Sequence, residues 1–245
     1  MDKPDASDVL VVVPTYNERE NLPLLVPRLL AIDGLQVLIV DDGSPDGTGT
    51  LAEELAAASS GRLTVMHRTG PRGLGRSYVD GMQAVIRTGA RFVCQMDADL
   101  SHDPADLARL IEAATSADLV IGSRYVPGGT VRNWPLRRLW LSVFANRYVR
   151  AVTGLRIQDC TSGFRCWHRE LLARLPLSTI ASDGYAFQVE MAFEAHRAGA
   201  TIVEVPITFV ERRQGASKLS GGVIAESIWM PWRLVSRPYV HRPPS

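Results

Sequence analysis

Two pairs of carboxylates punctuate the first half of the chain. Asp97-Ala98-Asp99, followed by Leu100-Ser101-His102, closes one apolar run, and Asp41-Asp42, followed by Gly43-Ser44-Pro45-Asp46-Gly47-Thr48, closes an earlier one. In an extended segment residues two apart point the same way, so Asp97 and Asp99 are predicted to set two like charges side by side. A hard divalent cation, Mg²⁺ or Mn²⁺, relieves that repulsion and shares its coordination with phosphate oxygens. A cap for the helix expected after Pro104 needs only one of Asp99 and Ser101. Asp42 is suited to accept from a base N–H or a ribose hydroxyl, while the same segment also reads as a turn capping the next helix through Thr48.

Cations follow in the second half. Between Arg124 and Arg150 there are six arginines and no acidic residue, a pattern that favours an anionic partner over a solvated helix face. Arg138 and Ser142 are four apart, hence on one helix face, and suited to grip a single phosphate. Lysine is confined to Lys3 and Lys218 among 27 basic residues, so Lys218 marks a place where a compact ammonium is wanted. It lies in Arg212-Arg213-Gln214-Gly215-Ala216-Ser217-Lys218, a polar stretch read as a mobile lid. Neither a phosphate-binding Gly-x-x-x-x-Gly-Lys loop nor a Gly-x-Ser-x-Gly elbow occurs, and the histidines suggest no triad. Only His102 borders the acid pair; Gly70 to Gly75 reads as a turn into a helix.

The elements that must position these groups are legible from apolar runs. Asp8–Pro14, Gln36–Asp41, Leu63–Met66, Phe92–Met96 and Asp118–Gly122 read as strands buried on both faces. Helices are expected between them, at about 18–31, 48–58, 75–88 and 104–115. Five alternations predict an α/β, doubly wound, mostly parallel sheet with helices on both faces, and ligands outside the carboxyl ends of its strands. Beyond Tyr125 a helix is expected over Pro135–Val152, another near Tyr185–Arg197, a strand over Thr201–Val210 and an amphipathic helix over Val223–Val235. We expect residues 1–210 to form the catalytic domain, and residues 211–245 a mobile basic loop and a membrane-facing segment.

Composition sets the outer bounds. The 245 residues are 46% hydrophobic and 22% charged, which excludes disordered, collagenous and small disulfide-scaffold classes. A net charge of +1 argues against a nucleic-acid partner. No apolar run is long enough to span a bilayer, and Met1 to Asp8 lacks a signal core, so the expectation is a cytoplasmic protein. Cys94, Cys160 and Cys166 lack Cys-x-x-Cys spacing and are read as reduced thiols.

Taken together, Pro14-Thr15-Tyr16-Asn17-Glu18-Arg19-Glu20-Asn21-Leu22, the Asp41 to Thr48 segment, Asp97 to His102 and Gly122-Ser123-Arg124-Tyr125 resemble the family-two glycosyltransferases of GT-A fold, specifically the dolichyl- or polyprenyl-phosphate mannose synthases. Thr161 to Arg165, Gly184 to Glu190 and Val205 to Arg212 match the same group, so the resemblance spans about residues 8–220. It implies that Pro14, Tyr16, Glu18, Val40 and Asp42 hold the guanosine of GDP-mannose. It further implies that Asp97, Ala98 and Asp99 meet the metal and diphosphate, and that Arg124, Arg212 and Lys218 close on the diphosphate. Arg138 and Ser142 match positions for the acceptor phosphate. Asp97, Asp99 and Arg124 are the expected catalytic set.

A phosphate acceptor also fits the residues on chemical grounds. A lipid phosphate monoester has a second pKa near ~6 and is already an anionic nucleophile at neutral pH, so no general base is required. The alternatives are another hexosyl transfer to the same lipid, or a non-catalytic nucleotide-sugar-binding subunit. A polyprenyl tail stays in the bilayer, so a peripheral association with the cytoplasmic face of a membrane is expected. Ile224, Ile228, Trp229, Trp232 and Val235 are to meet the apolar layer, with Arg233, Arg237 and Arg242 at the headgroups.

Overall fold

The structure is a computed structural model that describes residues 6–211 and 221–237. Five strands alternating with four helices open the described chain: β1 (Val9–Thr15), α1 (Leu22–Leu30), β2 (Gln36–Asp41), α2 (Thr48–Ala57), β3 (Leu63–His67), α3 (Leu74–Ile86), β4 (Phe92–Gln95), α4 (Leu107–Ala114) and β5 (Leu119–Ser123). They continue through β6 (Thr130–Arg132), α5 (Leu136–Thr153), β7 (Arg165–His168), α6 (Arg169–Arg174) and α7 (Gly184–Arg197). β8 (Ile202–Pro206), β9 (Thr208–Val210) and α8 (Gly221–Ser236) complete the described strands and α-helices.

Among the described residues seven strands form one sheet in the order β3-β2-β1-β4-β7-β5-β8, and β6 pairs with β9 apart from it. The strands run parallel except β7, which is antiparallel to both β4 and β5. β1 has β2 on one side and β4 on the other, so the winding direction reverses there and a crevice opens at the carboxyl ends of β1 and β4. The sheet's two faces are covered separately. Buried residues of α1, α2 and α4 pack with Val9, Val11 and Ile39, whereas those of α3, α6 and α7 pack with Leu10, Val12 and Val40. The α3 helix lies close because of Gly81, where a Cβ would sit 2.6 Å from Val12 Cγ1.

Several expected boundaries move, for identifiable reasons. The first helix starts at Leu22 because Asn21 and Leu22 donate to the Glu18 carbonyl in a preceding turn. The strand expected over Thr201–Val210 is two strands in different sheets. Ile207 makes the switch: its N–H bonds Ser123 in the main sheet, and its carbonyl accepts from Thr130. The short strands β6 and β7 carry no apolar alternation that would announce them. Finally, α8 packs back onto α5 and α7, with Met230 and Leu234 in the same apolar core as those helices.

Candidate active site

The carboxyl ends of β1, β2 and β3 form one cluster. Asp41 is occupied locally, its carboxylate accepting from Ser44 Oγ (2.5 Å) and Ser44 N (3.3 Å). The turn before α2 is closed by Asp46, which accepts from Thr48 N (3.0 Å), so turn chemistry consumes Asp46 rather than Asp42. Asp42 is buried and bonded by Gly73 N (2.7 Å) and by Arg68. A carboxylate offers about four lone-pair sites, so acceptor capacity is left for a ligand. Burial opposes the charge on Arg68, but Asp80 and Asp42 outweigh it and raise its pKa above the ordinary arginine value. Tyr16 lies under the Arg72 guanidinium (4.9 Å) and is bonded by it, and Glu18 accepts from Asn21 Nδ2 (2.6 Å). Pro14 and Val40 are neighbours across β1 and β2. Val40 is wholly buried, backbone as well as side chain, and packs in the apolar core.

Beyond β4 the acid pair lines a second cavity with Arg124, Arg138, Thr161 and Tyr185. The expectation that Asp97 and Asp99 share an extended segment just beyond the strand is corrected: β4 ends at Gln95, and the chain turns through Ala98 and Asp99. Leu100 holds this turn in the left-handed region, at φ +61°, a conformation that costs a non-glycine residue about 1 kcal/mol or more and clusters at functional sites. Both acids nonetheless face one cavity. Asp97 accepts from Tyr78 Oη (2.8 Å), and Gly163 allows close approach, since a Cβ there would meet Asp97 Oδ2 at 3.2 Å. Asp99 Oδ1 accepts from Ser101 N (3.1 Å). The helix cap that competed for these residues is supplied by Asp103, bonded to Ala105 N (3.0 Å).

Among the described residues, Ser101 Oγ and His102 Nδ1 are buried with no hydrogen-bond partner. His102 is stacked on Phe164 (5.0 Å), and burial lowers its pKa, leaving it neutral at pH 7. No three acidic, histidine or cysteine side chains among the described residues converge on a metal position. Among the described residues Asp97 and Asp99 alone line the cavity as a carboxylate pair, so a divalent cation held by them would take its remaining ligands from phosphates and water.

Arg124, at the end of β5, is the fixed cation of this cavity. Its Nε and Nη2 donate to Asp159 (2.7 and 2.6 Å), and Nη2 also to Thr161 Oγ1 (2.8 Å). Burial favours the neutral forms of both partners, but each charge holds the other ionised, with Arg124 raised and Asp159 lowered. Arg138 lies over the Trp134 ring (4.2 Å) and is ion-paired with Glu211. Two of the six arginines in the acid-free run, Arg124 and Arg138, are thus compensated by acids that the fold brings from later in the chain. Ser142, one turn along α5, accepts from Tyr125 Oη (2.7 Å). Arg212 and Lys218 lie outside the described residues.

Asp159 and Arg68 were missed in the sequence. Arg68 follows β3 directly, and the strand-end rule that singled out Asp42 would have found it. No local signal marks Asp159, 35 positions from its partner. A larger cavity of about 560 Å³ shares Ser101 and His102 with the acid-lined one and reaches Arg28, Arg132 and Glu211.

Similarities to known proteins follow this layout. The family model for glycosyl transferase family 2 matches residues 10–175. The polyprenol monophosphomannose synthase of Mycolicibacterium smegmatis is 53% identical over 90% of this chain and 84% of its own length. The undecaprenyl-phosphate mannosyltransferase of Micrococcus luteus is 48% identical over 90% of both. Among solved structures, glucosyl-3-phosphoglycerate synthase from Mycobacterium tuberculosis, in complex with Mn²⁺, UDP and phosphoglyceric acid, superposes with a TM-score of 0.71. It is 21% identical, covers 94% of this chain and 79% of its own, and shares the fold. The chain therefore belongs to glycosyl transferase family 2 and, within it, to the polyprenyl-phosphate mannose synthase family.

Proposed function

We propose that this glycosyltransferase moves mannose from GDP-mannose to a polyprenyl monophosphate with inversion, giving the β-linked polyprenyl-phosphate mannose and GDP. The observation that carries the reading is the single cavity in which Asp97 and Asp99 face Arg124 and Arg138. A donor diphosphate and an acceptor phosphate are both anions, and bringing them together requires cationic positions on both sides of the reacting carbon. The names of the two relatives support the acceptor and the sugar, and the Mn²⁺ and UDP of the fold neighbour support a divalent cation with a nucleoside diphosphate.

Asp97 and Asp99 are the residues that would hold Mg²⁺ or Mn²⁺. Bound there, the ion supplies charge neutralisation for the leaving diphosphate. Tyr78 keeps the Asp97 carboxylate turned into the cavity, and Arg124 presents a charge that Asp159 aims. Asp42, with Tyr16 and Glu18 nearby in the chain's first crevice, is assigned to the guanosine. Arg138 and Ser142 receive the acceptor phosphate, which attacks without giving up a proton.

A peripheral membrane location accompanies this reading. Leu136, Trp140, Leu141 and Phe144 are 51–73% exposed on α5, and Ile228, Trp229, Trp232 and Val235 are 49–72% exposed on α8. The helices adjoin through Tyr148, whose hydroxyl donates to the Ile228 carbonyl (2.8 Å) and accepts from Trp232 Nε1 (2.9 Å). Exposed tryptophans beside Arg137, Arg147 and Arg233 suit an interface with anionic headgroups. Arg237 is withdrawn from that role by its ion pair with buried Glu190. No helix among the described residues is long and apolar enough to cross a membrane.

The test is transfer of radiolabel into extractable lipid from GDP-mannose or UDP-glucose, with polyprenyl phosphate and either metal. Label from GDP-mannose alone is expected. Transfer from UDP-glucose instead would replace the donor, and none from either would favour a binding subunit.

A further inference from the structure

Arg138 reaches the cavity with its charge already answered by Glu211. Glu211 directly follows β9, where its backbone N–H bonds the Arg132 carbonyl (3.2 Å), so its carboxylate is tethered beside the guanidinium. The pair is not sealed: the Arg138 side chain is 18% exposed and that of Glu211 32%. Water therefore weakens the attraction, and the contact is reversible. Glu211 also lines the neighbouring cavity of about 560 Å³, with Arg28 and Arg132 on its wall, so a displaced carboxylate has open space and cations to turn to.

We infer that Glu211 is a specificity residue, whose carboxylate holds Arg138 against lipid phosphodiesters and yields it to a phosphate monoester. This rests on the proposed acceptor role of Arg138. A bilayer surrounds the enzyme with diester headgroups, each carrying one negative charge. Exchanging a tethered single charge for an untethered one gains no Coulomb energy and gives up the local concentration of the tether. A monoester near pH 7 carries about −1.5 to −2 and brings three acceptor oxygens, so its attraction to Arg138 exceeds that of the carboxylate. Glu211 thus sets a charge threshold for entry.

The experiment uses the full chain on phosphatidylcholine vesicles bearing polyprenyl phosphate, with phosphatidylglycerol added stepwise and rates normalised to co-sedimented enzyme. Glu211→Gln keeps the shape and removes the competing charge. Its half-inhibitory phosphatidylglycerol fraction is expected to fall about fivefold relative to the native chain, the change that ~1 kcal/mol gives. Glu211→Asp should restore most of the resistance. Equal phosphatidylglycerol sensitivity in Glu211→Gln and the native chain overturns the inference. So does a raised acceptor KM without added sensitivity, which would make Glu211 only a support for Arg138. Arg138→Ala separates the two readings. If it leaves acceptor KM unchanged, the acceptor site is misplaced; if KM rises while Glu211→Gln stays insensitive to diester, only the role of Glu211 falls.

Discussion

The floor and the rim of the acid-lined cavity hold their cations in opposite ways. On the floor, Arg124 is almost wholly buried and bonded twice to a carboxylate with no solvent exposure. On the rim, Arg138 rests on the Trp134 ring and meets a carboxylate that is one-third exposed. The floor is assembled for one geometry. Glu204 fixes the Asp159 N–H (2.9 Å), Asn146 fixes the next N–H (2.7 Å), and Asp159 then aims Arg124. The rim exchanges partners at little cost. A donor diphosphate that must lie the same way in every cycle suits the first arrangement, and a lipid acceptor that arrives and leaves suits the second.

The floor should break hardest. Asp159→Asn leaves a buried guanidinium without its counter-charge, and a loss of about 3–5 kcal/mol in unfolding free energy is expected. The comparison also has a pH signature. Asp159 is held below its ordinary value of 3.8, so its contribution is complete above that pH and is lost as pH falls further. Denaturation followed at pH 7 and near pH 3 should show the native chain losing more stability on acidification than the variant. A similar drop in both would remove Asp159 from the floor's energetics.

Asp99→Asn comes next, and its effect is on turnover. Removing one anionic ligand should lower the rate roughly 10²–10³-fold, or about 3–4 kcal/mol, and abolish metal-dependent donor binding while the melting point holds. A folded variant with native turnover would separate Asp99 from the metal.

How much of this was legible in the sequence also divides along the chain. As far as Arg124, reading strand ends located Asp42, Asp97, Asp99 and Arg124, each of which lies just beyond a buried apolar strand. Spacing predicts that the acid pair shares a side through an extended segment, whereas a turn beyond β4 brings both carboxylates to the cavity. After Arg124 the logic fails. β7 is four residues long and antiparallel, inserted between β4 and β5, so Cys94 meets Cys166 and Gln95 meets Arg165 with no periodic pattern to announce it. The partners of the arginines, Asp159 and Glu211, are set by long-range contacts that spacing cannot express. The C-terminal segment was divided by the fold: Met230 and Leu234 are core, whereas Trp229 and Trp232 stay outside.

A smaller effect is expected where the floor is supported from behind. Tyr78→Phe keeps the ring stacked on Phe187 (5.7 Å) but deletes the bond to Asp97. Burial and the neighbouring Asp97 hold the Tyr78 hydroxyl protonated well above its ordinary range, so it donates at any working pH. Losing a bond to a charged acceptor costs about 1.5–3 kcal/mol at most, here partly recovered if the cation fixes the carboxylate itself. We expect turnover to fall, with metal affinity measured by calorimetry weakening in parallel and the pH profile unmoved. Loss of stability with unchanged metal affinity would make Tyr78 a core residue only.

The mildest break is on the rim. Arg138→Lys preserves the positive charge and its reach toward Glu211 but gives up the planar contact with Trp134 and the forked donors. An exposed cation–π contact is worth about 0.5–1 kcal/mol, so acceptor KM should rise roughly two- to fivefold. Donor affinity is expected to stay level, because the donor's phosphates are assigned to the floor in the proposed reading. Kinetics with varied polyprenyl phosphate at saturating GDP-mannose, set beside calorimetry of the donor alone, decide the matter. A loss of donor binding equal to the loss in acceptor KM would show that Arg138 serves both phosphates, and the division between a fixed floor and an exchangeable rim would fail at the residue that defines it.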